Sequence, residues 1–329
     1  MDFTSLTTAL SNLSITEIVW FTVTLTAIRL LLVRFQSAAA RAIVEIVEAA
    51  LIAGVLVFLI IQPFFVKAFY IPSGSMRPGL IDNDHILVNR FLYRMHGPRH
   101  EDVVVFNAPK IALDAGGESV SGSEDYIKRL IGLPGDTIQV VGGTITINGI
   151  IYTHDDVRRV YLPTDDSAYS PDQSKDQQHI KFTTTGISVY DGTKWTDYPA
   201  SNVALKLNGS ANANIKISPG YVIRNGKRLI EPYIAEDPDY NLRLLANGQV
   251  ATTMANHETR VNSEWVDSVP AAQMVNAPLG KVPPGEVIVM GDNRNDSNDS
   301  SCWGPLTEDR LVGRAVFIFF PFSRIREIR

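Results

Sequence analysis

The chain has 329 residues, 45% of them hydrophobic, a formal net charge of −5 and a single cysteine, Cys302. That length suits one large domain or two modest ones plus anchors. A mildly acidic chain with no basic tract excludes nucleic acid as a partner, and one cysteine excludes an internal disulfide.

Two apolar segments come first. Residues 18–33, IVWFTVTLTAIRLLLV, are broken only by Arg29, which could snorkel to an interface. Residues 49–66, AALIAGVLVFLIIQPFFV, carry no charge. They predict two transmembrane helices, at about 18–33 and 45–66. The first 17 residues hold Asp2 and Glu17 but no Lys or Arg, whereas Arg34 and Arg41 lie in the link. The positive-inside rule then makes the link cytoplasmic and puts everything after residue 66 outside. A cleavable signal peptide is disfavoured, because the start lacks a basic region.

After the anchor the pattern changes to short β-branched runs: HILVNRF (85–91), DVVVFNA (102–108), DTIQVV (136–141), GTITINGIIY (143–152), RLIEPYI (228–234), EVIVMGD (286–292) and RAVFIFF (314–320). Turn residues separate them. The expected fold is mainly β, an antiparallel sandwich or partial barrels behind the two helices. The expected domains are an anchor (1–66), a β-rich catalytic core (67–142 and 281–329) and a second β-rich extracytoplasmic subdomain (143–280). The latter holds a divergent, polar insert at about 153–222. Two strand–NG–strand stretches predict tight hairpins.

Three stretches could carry chemistry. The first, IPSGSMRPGL (71–80), presents Ser73 and Ser75 between Pro72 and Pro78, which restrict the backbone. The second, DYIKRLIGLPGD (125–136), puts Lys128 in an apolar strand. A lysine stripped of water there loses preference for its charged form and can act as a base. The bland alternatives are a linker serine and a solvent-facing lysine, and the pattern alone leaves both open. The third, GDNRNDSNDSSCWG (291–304), is a polar loop between apolar strands. A calcium reading fails on spacing, since Arg294 falls where a ligand should be. A hydrogen-bonded structural loop is the better reading, and no metal or other cofactor is expected. His154-Asp155-Asp156 reads as solvated surface, and His85 and His96 read as exposed.

In this order the three stretches resemble those of bacterial type I signal peptidases, or leader peptidases. IPSGSMRPGL is similar to the family's serine box, YIKRLIGLPGD to its lysine box, and GDNRNDSNDSSCWG to its closing loop. The resemblance covers about residues 62–142 and 223–322. It implies a Ser–Lys serine protease with Ser75 as nucleophile and Lys128 as general base. Ser297 would orient the lysine, and the Ser73 hydroxyl with the Ser75 N–H would form the oxyanion hole. Phe69, Ile71, Pro72 and Ile127 would wall pockets for small side chains, hence Ala-x-Ala specificity. Asp125 and Tyr126 would pair with the extended substrate. Arg294, Asp299 and Ser300 would brace the loop.

The implied function is cleavage of signal peptides from exported preproteins. The implied setting is the bacterial inner membrane, with the catalytic domain on the periplasmic side, the bilayer as partner and the secretion translocon as a candidate partner. The alternatives are a specialised peptidase for pilin or conjugation proteins and an inactive anchored binding module. Against the family pattern, HEDVVVF (100–106) lacks the usual Arg-Gly before Asp102, and Gly79 stands where Thr is commoner.

Overall fold

A computed structural model describes residues 15–34, 37–56, 66–115, 124–162, 178–191, 193–254, 258–266 and 277–329. The chain divides into two compact units. One comprises Met1–Ile71, Asn83–Gly97 and Gly313–Arg329; the other comprises Pro72–Asp82 and Pro98–Val312. Strands dominate, and their pairings are antiparallel, as in β1–β2, β3–β4 and β8–β9 defined below.

The first unit holds helices α1 (Ile15–Leu32) and α2 (Ala38–Val55) and strands β1 (Val66–Tyr70) and β2 (His85–Asn89). β1 runs against β2 with Phe69 opposite Ile86, and β2 runs against the strand Leu311–Phe320 with Leu87 opposite Phe317. Ile86, Val88, Ala315 and Ile318 close its core. His85 is not exposed as expected. It is buried among the rings of Tyr70, Phe319 and Phe320, and burial lowers its pKa.

Among the described residues no helix is long and apolar enough to cross a membrane. α2 begins at Ala38 rather than near 45, because AAARAIVEIVEAA is rich in strong helix formers, and so it takes in Arg41, Glu45 and Glu48. Arg29 forms an ion pair with Glu48. Residues 57–65, within the second expected span, lie outside the described residues. Both helices present apolar side chains outward: Trp20, Phe21, Leu30 and Leu31 on α1, and Ile46 and Ile52 on α2, are all exposed.

The second unit contains β3 (Val103–Asn107), β4 (Asp125–Gly132), β5 (Ile138–Val141), β6 (Thr144–Ile147), β7 (Ile150–Tyr152), α3 (His154–Tyr161), β8 (Gln178–Thr183), β9 (Gly186–Asp191), β10 (Tyr221–Arg224), β11 (Asn241–Leu244), β12 (Val250–Thr253), β13 (Thr259–Val261) and β14 (Glu286–Met290). β4 lies between β3 and β14. A second sheet runs β10–β5–β11–β12–β13. Ile131, Ile138, Val140, Leu242 and Ile288 form one apolar cluster and tie the two sheets together. Each such side chain removed from water contributes roughly 1.5–3 kcal/mol.

Both Asn-Gly hairpins form. Asn148 and Gly149 have φ of 52° and 87°, and Asn225 and Gly226 have φ of 54° and 75°. Positive φ at both turn residues matches the right-handed twist of the strands. The polar insert nonetheless helps to build a second apolar core. Val157, Ile180, Phe182 and Val203 pack with Ile145 and Ile147 of β6 into a hydrophobic core distinct from the one that ties the two sheets together. Residues 163–177 of the insert lie outside the described residues.

Candidate active site

The serine turn is built by its flanks. Gly74–Met76 forms one 3-10 turn, with Ser73 in extended conformation before it. Met76 is fully buried and plugs the turn into the unit, and its carbonyl accepts from Leu80 N at 2.9 Å. Arg77, buried, pairs with Asp82. From the other side Asn293 N donates to Ser75 O at 3.1 Å. Ser75 is thereby fixed while its side chain stays partly open.

Lys128 sits on β4 opposite Val104, with 4% of its surface exposed. Its Nζ donates to Ser75 Oγ at 2.7 Å and to Ile127 O at 3.0 Å. Burial drives its pKa from 10.5 down to about 8, against the opposing pull of Asp299 and, more weakly, Cys302, Asp292 and Asp296. Desolvation is the larger effect because the nearest carboxylates are engaged elsewhere.

The loop that follows β14 is tied down by charge-assisted bonds. Arg129, next to Lys128 in sequence, reaches the opposite side of the strand and donates Nε and Nη2 to the two Asp292 oxygens, both at 2.7 Å. Arg294 donates Nη2 to Glu231 at 2.6 Å and Nε to Gly291 O at 3.0 Å. Asp299 caps the short helix Ser300–Trp303: it accepts from Ser301 N and Gly291 N, both at 2.8 Å. Ser300 Oγ accepts from Val289 N at 3.0 Å. Gly291 is required, because a Cβ there would collide with both Ser297 Oγ and Ser75 O.

Of the residues singled out from sequence, the second unit brings Ser75, Lys128, Ser297, Arg294, Asp299 and Ser300 into one region. Ser297 Oγ is buried beside Ser75 and makes no hydrogen bond; no bond to Lys128 forms. Ser73 and Pro72 are exposed. Tyr126 and the largely buried Ile127 precede Lys128 on β4, and Asp125 opens that strand with its carboxylate accepting from Asn107 at 2.6 Å. Phe69 and Ile71 stand in the first unit, where Ile71 is buried and donates N–H to Asp84 O at 2.9 Å.

Sequence reading missed Arg129 and Glu231. A lone acid in RLIEPYI and adjacent bases in YIKRLIG were the available signals. It also misplaced His154. That ring is 1% exposed, stacks on Phe182 at 3.8 Å and lies 3.2 Å from Asp237 Oδ1. Burial alone would lower its pKa, but Asp237, Glu236 and Asp239 outweigh burial and raise it.

A serine hydroxyl held on a desolvated lysine is the constellation of a Ser–Lys hydrolase. The family described as "Signal peptidase, peptidase S26" matches residues 43–196 and 206–320. The chain belongs to this family and is a serine peptidase of the signal peptidase I type. It is similar to "Signal peptidase I" of Leptolyngbya laminosa (27% identity, 82% of this chain and 75% of that one). It is also similar to "Signal peptidase I" of Buchnera aphidicola subsp. Acyrthosiphon pisum (29%, 82% and 73%) and "Signal peptidase IB" of Staphylococcus aureus (23%, 82% and 86%).

Proposed function

We propose that this chain cleaves signal peptides from exported preproteins by a Ser–Lys mechanism. The observation that carries the proposal is the 2.7 Å contact between Ser75 Oγ and a buried Lys128 Nζ. In the active form the amine is neutral and accepts the serine proton. Ser75 Oγ then attacks the scissile carbonyl. The C–N bond breaks, the acyl group passes to Ser75, and the leaving amine takes the proton from Lys128. A water molecule, deprotonated by the same lysine, releases the acyl group.

In this reading the Ser75 N–H and the Ser73 hydroxyl hold the developing oxyanion, each worth roughly 2.7–4 kcal/mol of barrier. Ser297 Oγ, which has no hydrogen-bond partner among the described residues, orients Lys128 in this reading. Arg294, Asp299 and Ser300 keep the loop in place. Phe69, Ile71, Pro72 and Ile127 restrict substrate side chains to small ones, and Asp125 and Tyr126 align the peptide as an added strand. The exposed apolar faces of α1 and α2 suit a bilayer, which would anchor the catalytic region on the periplasmic side of the bacterial inner membrane. The catalytic core (67–142 and 281–329) and second subdomain (143–280) stay part of this proposal.

The test is Lys128→Ala. It should leave the fold intact and abolish cleavage of an Ala-x-Ala preprotein. Cleavage at the parent rate would refute the assignment.

A further inference from the structure

Beside the catalytic loop the second unit carries a half-open cavity of about 250 Å³, whose lining includes Asp155, Asp239, Tyr240, Arg260, Arg294 and Ser297. It shares Ser297 with the site. Its chemistry is unusual for a structural void. Tyr240 is 3% exposed, yet its hydroxyl has no hydrogen-bond partner, and neither has Ser297 Oγ. Arg294 is neutralised by Glu231. Arg260 donates to Ser301 O at 3.2 Å and to Cys302 Sγ at 3.0 Å and has no carboxylate partner among the described residues. The two carboxylates, Asp155 and Asp239, are likewise in no ion pair among the described residues. Asp239 is half-buried, and a carboxylate partly withdrawn from water without an ion-pair partner is costly.

Resting on the peptidase reading above, we propose that this cavity receives the start of the mature chain, and that Asp239 and Asp155 bind its newly formed α-ammonium group. Cleavage creates one new cation, the amine of the released chain, next to the loop that carries Ser297. The unpartnered hydroxyls of Tyr240 and Ser297 offer hydrogen bonds to the backbone that follows. Asp155, exposed at the first turn of α3, stands at the mouth, and Asp239 lies deeper.

Asp239 shows what it lacks. Burial raises its pKa to about 6, Glu236 and Asp155 raise it too, and His154 and Arg158 oppose the rise. An ammonium beside it would reverse this. Binding should therefore strengthen as pH rises through about 6 and fade as the α-amine, with a pKa of roughly 8, loses its proton.

The experiment uses the full chain in detergent and a short peptide that begins the mature sequence, with either a free or an acetylated amino terminus. Binding is measured by calorimetry at about pH 7, and preprotein cleavage is measured in parallel. The parent should bind the free-amine peptide on the order of tenfold more tightly. Asp239→Asn, and separately the exposed Asp155→Asn, should reduce that preference while single-turnover cleavage continues. Equal binding of both peptides by the parent, binding of neither, or a full preference kept by Asp239→Asn would overturn the proposal. Failure of the peptidase reading would show differently, as a parent that leaves the preprotein intact.

Discussion

Replacing Lys128 by methionine should remove catalysis and at the same time stabilise the fold at neutral pH. The lysine is buried and its pKa falls from 10.5 to about 8. Holding it charged in the folded state therefore costs about 3 kcal/mol at pH 7, at about 1.4 kcal/mol per pH unit. Methionine fills a similar volume without charge, but the amine's bonds to Ser75 Oγ and Ile127 O are lost, at about 1 kcal/mol each. The net gain is about 1–2 kcal/mol.

The sign fixes the pH window. Below about 8 the lysine is charged in both states and the whole cost is present. Between about 8 and 10.5 the unfolded chain binds the extra proton, so the parent gains stability as pH rises. Above that window the cost is gone. The assay is denaturant unfolding of the detergent-solubilised protein, followed by tryptophan fluorescence, for parent and Lys128→Met from about pH 7 to about pH 10.5. The variant should lead at low pH, and its lead should shrink with rising pH; other groups titrate alike in both and cancel. A difference that does not change with pH would refute the reasoning.

Cleavage by the parent should rise with pH through about 8, the lysine's value, because only the neutral amine accepts the serine proton; a flat profile from about pH 6 to 9 would contradict it. Breaking the buried Arg129–Asp292 pair with Arg129→Ala should cost roughly 3–5 kcal/mol, read as a lower unfolding midpoint, because the carboxylate is left uncompensated. Glu101 holds φ of 69°, the left-handed region that glycine tolerates. Glu101→Gly should therefore leave stability unchanged or raise it by about 0.5–1 kcal/mol, and a loss of more than about 1 kcal/mol would show that the side chain matters more than the backbone.

Much of the catalytic region was legible because its signals are local. Two prolines around PSGSM shape a turn, a lysine inside YIKRLI interrupts an apolar strand, and Asn-Gly pairs fix hairpins. What escaped depends on contacts distant in sequence. Lys128 and Arg129 point to opposite faces because strand side chains alternate, but only the partner strands decide that both faces are buried. Arg129 finds Asp292, and Arg294 finds Glu231, across gaps that no spacing rule encodes. His154 looked solvated between polar neighbours. Phe182, 28 residues on, stacks on it, and Asp237, far along the chain, lies beside it. At HEDVVVF, Glu101 stands where the resemblance places glycine, and it adopts a left-handed backbone of the kind glycine tolerates.

The most direct measurement is cleavage of a preprotein carrying an Ala-x-Ala site by the detergent-solubilised full chain, parent beside Ser75→Ala, with the product's amino terminus sequenced. The account predicts that the parent cuts after the second alanine and that Ser75→Ala, equally folded, does not cut. Cutting by both, or by neither when both are folded, would contradict it.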